Sequence, residues 1–66
     1  MNNNFVIYKT SGERVTIASV YGITEWTLTE ALEMMRHLVG WTVAKVSIFE
    51  EEVSKLKNAS FGVQEL

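Results

Sequence analysis

The chain has 66 residues, of which 47% are apolar, and a net charge of −2. It has no Cys, no Asp and a single His, His37, which excludes disulfide staples, thiolate metal sites and Ser-His-Asp chemistry. Six Lys and Arg are too few for a phosphate-binding surface, and no apolar run reaches membrane-span length or reads as a signal peptide.

Residues 1–66 read as one domain, with no linker, repeat or low-complexity segment. Met1-Asn2-Asn3-Asn4 is a polar, frayed start. Phe5–Lys9 has strand composition, Thr10-Ser11-Gly12 reads as a turn, and Glu13–Val20 as the returning strand. A two-residue loop at Ser11-Gly12 would place Lys9 opposite Arg14, a like-charge pair. A three-residue loop with Gly12 in the left-handed position places Lys9 opposite Glu13 instead, and is the expected register. It sets Phe5 opposite Ile17 and Ile7 opposite Val15 on one face, with Val6, Tyr8, Arg14, Thr16 and Ala18 on the other.

Thr27 and Glu30 have capping-box spacing. Leu28, Ala31, Leu32, Met35, Leu38 and Val39 then recur as one helical stripe, and Gly40 fits the stop position. Leu32, in mid-stripe, is expected over Ile7 and Ile17. Trp41–Phe49 reads as a third strand, with Ala44, Val46 and Ile48 facing the helix and Trp41, Val43, Lys45, Ser47 and Phe49 facing away. Residues 53–66 read as an arm with alternatives open: Glu50-Glu51-Glu52 before Val53–Lys57 suits a short helix, and residues 58–66, where Phe61 and Val63 alternate around a Gly, form either a loosely packed arm or a fourth strand.

The predicted fold is therefore α+β, in the order ββαβ: a hairpin, one amphipathic helix and a third strand, with the first strand central and the helix on one face. Such a sheet carries more apolar surface than one helix covers. Tyr8, Trp41, Val43 and Phe49 are expected on the uncovered face, which makes them candidate protein-binding residues. Trp26, just before the helix cap, either seals the core or is displayed as an anchor. Glu30 and Glu33 form an acidic helix rim, with Lys45 on the outer strand. His37 with Glu33 has (i, i+4) spacing, but a solvated helix face explains that pair more simply. Stacking of bases on Tyr8, Trp41 and Phe49 is argued against by the scarcity of basic residues.

The order hairpin, then Thr27-Leu28-Thr29-Glu30-Ala31-Leu32-Glu33, then Trp41-Thr42-Val43-Ala44-Lys45-Val46 resembles small phage proteins that inhibit host bacterial RNA polymerase, over roughly residues 5 to 49. In that family basic residues on the last strand and acids near the helix contribute to polymerase binding. Lys45 matches one basic position, and Ser47 stands where a second is expected. Small anti-CRISPR proteins share the size and element order. The resemblance implies a non-enzymatic inhibitor or adaptor that occludes a host protein in the bacterial cytoplasm, with no cofactor, metal, nucleic acid or membrane partner. The alternative is a structural module whose apolar sheet face closes a homodimer.

Overall fold

The hairpin opens the fold, with β1 at Phe5–Ser11 and β2 at Arg14–Ser19. It belongs to a computed structural model that describes residues 4–66. Of the segment expected to fray, residues 1–3 lie outside the described residues. Asn4 is tied down, because its carbonyl accepts from the Val46 amide at 2.8 Å.

The hairpin register differs from the expected one. Ser11 pairs with Arg14, Thr10 with Val15 and Tyr8 with Ile17. The loop is thus Gly12-Glu13, and Gly12 is in the left-handed region at φ 62°. Glycine first and an ordinary residue second is the pattern of a type II′ turn, whose twist matches that of the flanking strands. The charge argument for pairing Lys9 with Glu13 is outweighed by this turn and by burial. The observed register puts Val6, Tyr8, Val15 and Ile17 on one face and Phe5, Ile7 and Ala18 on the other.

The helix α1 spans Leu28–Met35 and starts as its sequence requires. The Thr27 hydroxyl accepts from the Glu30 amide at 3.2 Å, and the Glu30 carboxylate accepts from the Thr27 amide at 3.1 Å. The helix stops a turn before Gly40. The amides of Arg36, His37 and Leu38 donate to carbonyls three residues back, which tightens the chain out of α geometry. Gly40, at φ 87°, then turns the chain into β3.

The expected third strand is split. β3 covers only Thr42–Lys45, and a second helix, α2, begins at once and runs Val46–Ser54. Val46, Phe49, Val53 and Leu56 recur at spacings of three and four, and all four join one cluster with Val6 and Val15. Strand alternation through Ala44, Val46 and Ile48 describes the same residues less well, since Ile48 is half exposed. The tail supplies a fourth strand, β4, at Ser60–Glu65.

The sheet is thus four-stranded, in the order β3-β1-β2-β4, not three-stranded with one helix. β1 lies centrally, as expected. It is antiparallel to both β2 and β3, while β4 is parallel to β2. Two crossovers follow, β2-α1-β3 in one direction across the sheet and β3-α2-β4 in the other. Crossovers of one hand that run in opposite directions must pass over opposite faces. Accordingly α1 packs with Ile7, Ala18, Trp26 and Val43, and α2 with Val6, Val15, Tyr8 and Ile17.

Ile7 is fully buried, whereas Leu32 is 51% exposed and lies at the outer edge of α1, where Ala31 makes the close approach instead. Ile7→Ala should therefore cost about 2–5 kcal/mol, and Leu32→Ala about 1 kcal/mol or less, in chemical denaturation. Equal losses would place α1 in the wrong rotation. At the turn, Gly12→Val should cost about 1–3 kcal/mol and Gly12→Asn clearly less, because a β-branched residue is strained at positive φ. Thermal melts of the two variants make the comparison.

Candidate functional site

The residues singled out in the sequence do not converge on one surface. Val43 pairs with Ile7 and turns toward α1, contrary to the expected outward face. Trp41 lies on the same side, with the Lys9 ammonium 4.6 Å from its ring centroid. Phe49 is on α2, not on a strand. It is buried against Tyr8, with ring centroids 4.8 Å apart and planes at 61°, an edge-to-face contact. Trp26 is buried and exchanges backbone hydrogen bonds with Phe5 at 3.0 and 2.9 Å. Of its two expected roles, it takes the one that seals the end of the core.

The charged candidates are occupied locally. Glu30 completes the α1 cap, and Glu33 pairs with Arg36 at 3.5 Å. His37 is exposed beyond the helix end, in keeping with a solvated helix face. Lys45 is exposed at the junction of β3 and α2. Among the described residues, no group of three or more His or Glu side chains comes together, and no helix is long and apolar enough to cross a membrane.

Two shallow clefts flank the sheet. One, of about 170 Å³, is lined by Tyr8, Thr10, Gly12, Glu52, Val53 and Leu56. The other, of about 280 Å³, lies on the outside of α1 between Thr29, Leu32, Glu33 and Arg36. In each the carboxylate is already in an exposed ion pair, Glu52 with Lys55 at 3.6 Å and Glu33 with Arg36. Neither is lined by a His or by more than one carboxylate.

Exposed large apolar residues are spread over several elements, among them Leu28 and Leu32 on α1, Ile48 on α2 and Val39 in a loop, and two of them lie side by side on β4. Both helices lie over β1 and β3. On β4, Phe61 pairs with Val15 and Val63 with Ile17, so their side chains share the α2 face of the sheet. They remain 56% and 65% exposed because α2 does not reach that far. On the opposite face, Gly62 carries no side chain, and the Arg14 guanidinium lies over it, 2.9 Å from where a Cβ would stand.

Polar contacts fix this strand at both ends. At its start the Glu13 carbonyl accepts from the Ser60 amide at 2.9 Å, and the Glu13 carboxylate accepts from the Asn58 amide at 2.8 Å. The hairpin turn thus sets where β4 begins. At its end the Glu65 carboxylate accepts from the Tyr21 amide. Tyr21 and Gly22 form the two-residue loop between Val20 and Ile23, both at positive φ, 52° and 82°. Tyr21 holds this left-handed conformation with its ring almost wholly exposed. Non-glycine residues adopt that region at a cost of about 1 kcal/mol or more. Phe61, Val63 and Tyr21 were not among the sequence candidates. The alternation around Gly62 and the Tyr-Gly turn signal were present, but only the placement of α2 shows which apolar residues stay uncovered.

The Tyr8–Phe49 contact anchors α2. Phe49→Ala should cost about 3–5 kcal/mol, as other buried aromatic truncations do. Val43→Lys should also destabilise the fold, since Val43 packs beneath α1. Far-UV circular dichroism with urea titration reads both; a Val43→Lys variant of wild-type stability would contradict the observed face assignment.

No family model, no curated protein and no solved structure matches the chain.

Proposed function

We propose that this chain is a small non-enzymatic protein-interaction module, an inhibitor or adaptor of the phage type, that binds and occludes a protein of a bacterial host. The observation that carries the reading is the exposed Phe61–Val63 surface, apolar and held in place at both ends of β4. A well-positioned aromatic beside a β-branched residue suits an energetic anchor at an interface. The scarcity of converging titratable groups in the two clefts favours binding over catalysis. The acidic balance of the chain favours a protein partner over nucleic acid. The resemblance to phage polymerase inhibitors supplies the host-directed part of the reading. The alternative, a structural module that closes a homodimer, draws on the same uncovered half of the sheet.

Affinity capture from a bacterial lysate tests the proposal. A protein retained by the wild type should be lost with Phe61→Asp, a change expected to cost about 2 kcal/mol or more of association, a thirtyfold weakening. Val39→Asp, at a position 98% exposed and outside β4, should leave retention intact. Equal retention by both variants would move the binding surface away from β4.

A further inference from the structure

β4 has an open edge as well as an open face. The Ser60 amide donates to Glu13 and the Leu66 amide to Ser19, at 2.9 and 2.8 Å. These residues share a parity, and backbone groups alternate in direction along a strand. Phe61, Val63 and Glu65 therefore point their N–H and C=O groups away from β2, toward the free side. Natural edge strands are commonly blunted by lysine, proline, a bulge or a covering element. β4 runs six residues with a single charge and, among the described residues, none of these devices.

Building on the reading that the β4 half is an interaction surface, we infer that its edge pairs with β4 of a second copy, antiparallel, about a two-fold axis at Gly62. Four features of the strand lead to this occupant and register. Symmetric pairing of two identical edges is necessarily antiparallel. In an antiparallel ladder the hydrogen-bonded positions must join outward-facing residues of both strands. An axis at Gly62 does this twice, with Phe61 opposite the partner's Val63 and Val63 opposite the partner's Phe61, each an aromatic–β-branched pair. Gly62 then meets the partner's Gly62 at the closer, non-hydrogen-bonded position, on the face where Arg14 already occupies the space above it.

Charge gives the same direction. Glu65 lies at one end of the edge, and Lys57 just precedes the other. Antiparallel pairing brings the acidic end of each copy to the basic end of its mate. Of the two neighbouring registers, the one centred on Val63 would set Phe61 opposite the partner's Glu65, an aromatic against a carboxylate that Tyr21 already engages, and the one centred on Phe61 would set Val63 opposite the partner's Ala59 and lose both aromatic–β-branched pairs. In the Gly62 register the exposed Phe61 and Val63 of both copies merge into one apolar strip on the α2 face. The dimer thus doubles the face proposed for the host protein and leaves it open.

Six residues of edge bury less than a standard interface of about 800 Å² per partner, so the dimer is concentration-dependent. Sedimentation over about 1 µM to 1 mM should show monomer passing to dimer. Val63→Pro removes an outward amide while keeping every hydrogen bond to β2, and should give a monomer with an unchanged far-UV spectrum. Because the chain has no Cys, Gly62→Cys reports the register directly: mild oxidation should link two copies covalently. Gln64→Cys should not, since in this register its Cα lies about 13 Å from its mate, beyond disulfide reach. A wild type that stays monomeric at the highest concentration overturns the inference. So does a dimer indifferent to Val63→Pro, or cross-linking of Gly62→Cys no faster than that of Gln64→Cys. Should Val63→Pro unfold, the paired cysteine variants still decide. A monomeric wild type whose host-protein capture is lost with Phe61→Asp would remove self-pairing and keep the proposed function; loss of both would remove the β4 surface altogether.

Discussion

Val6 and Ile7 are consecutive in the chain, point to opposite faces of the sheet, and are both buried. That single constraint organises the molecule. A strand buried on both sides cannot lie under one layer, so a second helix must cover the second face. That cover is α2, formed from Val46–Ser54, the first part of which strand alternation would have assigned to the third strand. The two helices then fall on opposite faces because their crossovers traverse the sheet in opposite directions.

The same constraint determines where the surface is incomplete. Cover is centred on β1 and its neighbour β3, where α1 and α2 both pack. β2 is protected by the connections that flank it, through Trp26 on one face and Leu56 and Ala59 on the other. β4, added last and outermost, receives no helix. Its apolar residues remain exposed not because the strand is weakly specified but because both described helices lie over β1 and β3. Concentrated apolar surface of this kind on a small domain is where binding energy is available.

Small polar contacts hold the ends of these elements, where packing is thinnest. Thr27 and Glu30 start α1, Glu13 starts β4, and Glu65 ties the end of β4 to the Tyr21-Gly22 turn. These contacts are exposed, so each contributes modestly to stability. Their larger effect is geometric: they set where β4 begins and ends, and so where Phe61 and Val63 stand relative to the core.

Elements whose signals are local can be read directly from the residues. The capping box at Thr27 and Glu30 and the left-handed Gly12 are legible because cap and turn chemistry depend on a few adjacent residues, and the central place of β1 follows from the general rule for crossovers. The hairpin register was not legible, since the attraction that favoured Lys9 opposite Glu13 is worth less than the turn geometry and burial that set Lys9 opposite Thr16. Tertiary structure alone decided that Val46–Ser54 is a helix: β-branched residues there satisfy strand alternation locally, and only the need to bury Phe49 against Tyr8 selects the other period. It also decided that Ala31, not Leu32, makes the close approach to the sheet, and that Phe61 and Val63 stay in water. Which apolar residues remain exposed depends on how far each helix reaches across the sheet, a property of the assembled layers that no local stretch of sequence carries.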